Sequence, residues 1–101
     1  MKFFNIILIF ILYIYSYPVF SANKFNLIPI EVSKNVYVFL GDIDDVNNNN
    51  GGAISNTGFI IGDNSILVID AGPSYLYASN VIEIINSYSN LPIKYLVVTH
   101  H

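Results

Sequence analysis

Ser65-Ile66-Leu67-Val68-Ile69 runs into Asp70-Ala71-Gly72-Pro73, and one helix-length later Ile93-Lys94-Tyr95-Leu96-Val97-Val98 runs into Thr99-His100-His101. Both runs are short, apolar and rich in β-branched residues, and each stops at turn-forming or polar residues, so both read as strands, the second expected to be buried. Gly72 frees the backbone at the first stop and Pro73 ends ladder pairing. Between the runs, Ser74 is a candidate N-cap. Ala78, Val81, Ile82, Ile85 and Tyr88 then recur at three- and four-residue spacing, which predicts a helix with one apolar face. Asn90-Leu91-Pro92 ends it. A strand-helix-strand crossover returns its second strand parallel to the first. Asp70 and His100 are therefore expected at the same sheet edge, beyond the strands' carboxyl ends, where open α/β sheets bind ligands.

Working outward, residues 53–61 read as a strand that turns at Gly62-Asp63-Asn64 and pairs with 65–69 as a hairpin. Upstream, 27–31 and 35–40 read as two strands joined at 33–35. The intervening stretch 41–52 is a polar loop, and its run of four Asn at 47–50 reads as a low-complexity expansion without a role. The class is α/β, with antiparallel strands followed by one βαβ unit.

Residues 1–21 have the layout of a signal peptide. Lys2 gives a positive start, 3–17 form an apolar run, and Pro18 precedes small residues with cleavage expected after Ser21. The alternative is an uncleaved membrane anchor, although the apolar run is shorter than the ~20 residues that span a bilayer. Either way the body, residues 22–101, faces away from the cytosol, and a periplasmic location is expected. The membrane is a partner only through that leader.

The chain of 101 residues allows at most one domain, and 53% hydrophobic against 11% charged residues is enough for a packed core. The formal charge is −3, with no Arg and scattered Lys, which argues against nucleic acid as a partner. No Cys means no disulfide and no thiolate ligand, so a metal would need His and carboxylates. Asp42, Asp44 and Asp45 lack the Gly and distal Glu of a calcium loop and read as solvated. Gly51-Gly52 is followed by neither Lys nor a helix, so it is no phosphate loop.

His100 is the sharpest candidate for chemistry: at a strand's end an imidazole nitrogen can meet zinc from a rigid backbone. Taken alone, a His in that position is more often a hydrogen-bonded loop residue. His101 points the other way on an extended chain, so the two do not share one ion. Asp70 reads either as a turn residue bonding its own backbone or as a support for a neighbouring metal loop.

The strand ending in Asp70-Ala71-Gly72, the helix, and the second strand ending in Thr99-His100 resemble the opening of the metallo-β-lactamase superfamily. That family carries an Asp-x-Gly turn and then T-H-x-H-x-D-H. Thr99 and His100 match its first two positions, and His101 falls on the variable third. Gly52-Ala53-Ile54-Ser55-Asn56-Thr57-Gly58-Phe59-Ile60-Ile61-Gly62, after 29–32 and 36–38, is similar to the quinoprotein relay system zinc metallohydrolases. The resemblance implies the N-terminal part of a four-layer αβ/βα sandwich holding one or two zinc ions. It makes His100 a metal ligand, with Asp70, Gly72 and Thr99 in supporting or structural positions. The implied reaction is hydrolysis of a small-molecule amide, ester or thioester by zinc-bound hydroxide. Further ligands are expected beyond His101, so these residues alone are expected to be inactive. The alternative is a non-catalytic exported accessory or binding protein linked to quinoprotein dehydrogenase systems.

Overall fold

A computed structural model describes residues 25–101; the leader expected at 1–21 lies outside the described residues. The elements are β1 (Ile30–Ser33), β2 (Val36–Phe39), β3 (Thr57–Ile61), β4 (Ile66–Ile69), α1 (Tyr75–Tyr88) and β5 (Ile93–Val97). The strands form one five-stranded sheet in sequence order. The β1–β2, β2–β3 and β3–β4 junctions are antiparallel, and β4–β5 is parallel. The expected class and crossover are thus present, as a mixed α/β sheet with one helix among the described residues.

Register explains which residues fill the core. Tyr37 faces Phe59 and Phe59 faces Val68 across the sheet, so they share a face. Tyr37 and Phe59 stack with ring centroids 4.8 Å apart, and Phe39 lies 5.8 Å from Phe59. From α1, Tyr77, Val81 and Ile85 close onto Phe39, Phe59, Ile66 and Val68 to make the buried cluster. Each such aromatic or aliphatic side chain contributes about 1.5–3 kcal/mol by leaving water.

Ser74 caps α1 as expected, its Oγ accepting from the Tyr77 N–H at 3.2 Å. The helix ends at Tyr88, where the Ser89 N–H still donates to the Ile85 carbonyl but the Ser89 backbone is extended. Its buried face is rotated from the one expected. Tyr77, Asn80, Val81 and Ile85 are buried, while Ile82 and Tyr88 are about half exposed at 46% and 48%. Tyr77 lies on the buried side, its hydroxyl bonded to Thr57 on β3.

Three strand expectations need correction. The first strand is shifted to 30–33, with Asn35 in the left-handed region at φ 62° closing the turn to β2. The strand expected at 53–61 begins only at Thr57. Upstream of it the peptide groups are satisfied locally: Ala53 N–H donates to Asn50 O, Ile54 N–H to Gly52 O, and Asn56 Oδ1 accepts from Gly41 N–H. β5 forms where expected but is not buried; all five of its residues are exposed, because it is the sheet's edge. The face opposite α1 carries Val36, Val38, Ile60, Leu67 and Ile69, half-buried and aliphatic.

Candidate functional site

The parallel pairing of β4 and β5 sets the geometry. Leaving β4, Asp70 adopts φ 58°, a left-handed conformation uncommon for a non-glycine residue, and Gly72 follows at φ 76°. That turn aims the Asp70 carboxylate across at β5. The Asp70 N–H donates to the Val97 carbonyl at 2.8 Å. In return, Asp70 Oδ1 accepts the Thr99 N–H at 2.8 Å and Oδ2 accepts the Thr99 hydroxyl at 2.6 Å. Asp70 is therefore not a turn residue bonding its own backbone; it ties together two loops separated by 29 positions. Three hydrogen bonds, one to the end of β5 and two to Thr99 just beyond it, hold the left-handed backbone.

These bonds also set the charge. The Thr99 hydroxyl, and then the Thr99 N–H, hold the Asp70 carboxyl below its ordinary range, against the opposing effect of burial, with a smaller contribution from His100. A carboxylate accepting two hydrogen bonds stays ionised at neutral pH.

His100 extends the chain of contacts. Its Nδ1 lies 2.9 Å from Thr99 Oγ1 and 4.0 Å from Asp70 Oδ1, and 61% of its side chain is exposed against 10% for Asp70. Asp70, Thr99 and His100 are thus brought together. All but Thr99 border an open cleft of about 340 Å³, whose rim also includes Ser55, Thr57, Gly72 and His101. A cleft of that size is at the small end for small-molecule sites.

Gly72 has a second reason to be glycine. A Cβ there would lie 2.1 Å from Cδ1 of Tyr77, so the turn and the aromatic ring occupy the same corner. The Tyr77 hydroxyl shares a hydrogen bond of 2.8 Å with Thr57 Oγ1, and burial raises its pKa, with the Thr57 bond acting in the opposite sense.

The polar loop is the main feature missed in sequence. Asn50 is buried, and its side chain makes four bonds. Oδ1 accepts from the Asn47 and Gly52 N–H groups, and Nδ2 donates to Asp45 O and Asp42 Oδ2. Asn47 Oδ1 in turn accepts from the Asn49 and Asn50 N–H groups. The Asn run is thus a folded loop that carries Gly52 to the cleft, not an idle expansion. The signal was present as an Asn-x-x-Asn spacing just ahead of Gly51-Gly52.

Among the described residues there is no group of three or more His, Cys, Asp or Glu placed to hold a metal ion. A catalytic zinc takes about three protein ligands. Both Asp70 oxygens are engaged by Thr99, which leaves the imidazoles of His100 and His101 as the nitrogen donors beside the cleft. These residues alone do not fit a catalytic zinc. A family model, the metallo-beta-lactamase superfamily, matches residues 50–101, the span that contains the hairpin, the crossover and every residue named at the cleft. No curated protein matches the chain.

Proposed function

Because the chain belongs to the metallo-beta-lactamase superfamily, we propose that it supplies one wall of a metal-dependent hydrolytic site, with His100 as one zinc donor. The observation that carries this is the Asp70–Thr99–His100 chain of contacts at the edge of the cleft. Imidazole ligands are commonly oriented by an oxygen partner on their other ring nitrogen, and Thr99 Oγ1 is such a partner. The superfamily relation supports hydrolysis; a small-molecule amide, ester or thioester is the substrate class that matches the cleft's size. A catalytic zinc takes about three protein ligands, so this reading requires donors besides His100.

The half-buried aliphatic face opposite α1 supports the four-layer sandwich, since a sheet face of that kind needs a second layer against it. The 52–62 sequence, which forms the approach to β3 and β3 itself, is what supports the quinoprotein-relay subgroup. Export to the periplasm with cleavage after Ser21 rests on the leader's sequence pattern alone.

The test is a zinc titration of the isotope-labelled full chain, followed at both imidazoles, with a panel of β-lactam, lactone and thioester substrates assayed in parallel. Saturable, chelator-reversible shifts at His100, lost in His100→Ala and kept in His101→Ala, are expected. Zinc-independent spectra at His100 would remove the ligand assignment. Such a result would select the second reading, a non-catalytic exported binding protein, which the shortage of donors among the described residues favours.

A further inference from the structure

We propose that Thr99 is a positioning residue that fixes His100 as the tautomer protonated on Nδ1, so that the lone pair sits on Nε2. Three side chains share a fixed set of protons here. An ionised carboxylate only accepts, and a threonine hydroxyl has a single proton to give. Asp70 Oδ1 is taken by the Thr99 N–H at 2.8 Å, and Asp70 Oδ2 lies 2.6 Å from Thr99 Oγ1. The hydroxyl proton of Thr99 is therefore committed to Asp70.

His100 Nδ1 is 2.9 Å from that same oxygen. With no proton left on Thr99 to offer, a lone pair on Nδ1 would face a lone pair on Oγ1. The contact is a hydrogen bond only if the ring donates. Asp70 Oδ1, 4.0 Å from Nδ1, adds attraction for a proton on that nitrogen and for none on the other. Which ring nitrogen carries the proton is set by the partner of one of them, and here the partner's own proton is already placed. Thr99 thus transmits the negative charge of Asp70 to the imidazole without Asp70 touching it. The consequence for a metal rests on the function proposed above; the tautomer does not.

In Asp70→Asn, the Thr99 N–H still needs an acceptor, so the amide oxygen takes the Oδ1 place and the amide NH2 the Oδ2 place. That NH2 donates to Thr99 Oγ1, releasing the hydroxyl proton toward His100 Nδ1. The tautomer then switches to Nε2–H. Thr99→Val removes the acceptor outright, and Thr99→Ser retains it.

The experiment is long-range proton–nitrogen correlation spectroscopy of the labelled, metal-stripped full chain at about pH 8. The chain has two His, so a His101→Gln background leaves one set of ring signals. The Nδ1–H pattern is expected in the parent and in Thr99→Ser, with the two nitrogen signals interchanged in Thr99→Val and Asp70→Asn. An Nε2–H pattern in the parent overturns the proposal. So does an unchanged Nδ1–H pattern in Asp70→Asn, which decides the matter if Thr99→Val does not fold. Because no metal is present, a failure here is distinct from a failure of zinc to bind.

Discussion

The Tyr77 hydroxyl of α1 and the Thr57 hydroxyl of β3 lie 2.8 Å apart, both buried, and this bond joins the helix to the sheet beneath the cleft. It makes the fold sensitive to alkali. Burial raises the Tyr77 pKa above the ordinary phenol value of about 10, which the unfolded chain retains. The neutral phenol is therefore the form the fold favours. Its contribution is complete below about pH 10 and is lost as pH rises from there through the folded-state value. Denaturant midpoints measured between pH 7 and pH 11 should fall on the alkaline side. Tyr77→Phe should flatten that limb while lowering neutral stability by about 1 kcal/mol, because Thr57 loses its partner. Tyr37, also raised by burial, leaves part of the limb in place. A parent and variant with identical alkaline slopes would contradict the assignment.

Gly72 meets the same tyrosine from the other side. Gly72→Ala places a methyl 2.1 Å from the Tyr77 ring and forces an L-residue to hold φ 76°. Overpacking and a left-handed conformation together should cost about 3 kcal/mol or more, measured by chemical denaturation. In a Tyr77→Leu background the added cost of Gly72→Ala should shrink to the backbone share alone. Equal costs in both backgrounds would mean that the ring is not what requires glycine.

Much of this was legible in the sequence, and the pattern of what was not has a physical cause. The β4–α1–β5 crossover and its cap were readable because local pattern decides them: Ser74, the helical spacing, and two apolar runs ending at turns. From that crossover the shared sheet edge of Asp70 and His100 followed, since parallel strands end together. The buried side of α1 was not readable, because helical spacing does not show that Tyr77 meets Thr57 twenty positions away. Nor was the exposure of β5, since an edge strand and a central parallel strand have the same apolar sequence. The loop at 47–50 was misread because repetition hides inequality. Asn50 is buried while Asn48 and Asn49 are exposed, and composition cannot tell them apart.

Asn80 is the costly residue of the core. It is 2% exposed on the sheet-facing side of α1, and neither its Oδ1 nor its Nδ2 has a hydrogen-bond partner among the described residues. A buried, unpaired amide costs about 1–3 kcal/mol, and Leu is also the better helix former. Asn80→Leu should raise stability by about 1–3 kcal/mol in urea or thermal unfolding. A fall in stability would show that the amide is satisfied after all.

Asn50 separates a folded loop from an idle one. Its side chain bridges Asn47, Gly52, Asp45 and Asp42, so Asn50→Ala removes four bonds at once. None of them lies in the sheet or helix, so the loss should open the loop locally rather than unfold the chain. Global stability should drop by no more than about 1–2 kcal/mol, near the cost of one unsatisfied cluster. Amide exchange should be more telling: the Asn47 and Gly52 N–H groups, which both donate to Asn50 Oδ1, should exchange at least tenfold faster. Asn48→Ala and Asn49→Ala, at exposed positions, should leave those rates unchanged. Because Gly52 borders the cleft beside Pro73, the same variant should broaden the signals of Gly72 and His101 across from it. Equal exchange in all three Ala variants would return the Asn run to the status of a tolerated repeat, and the cleft would then have one fixed wall instead of two.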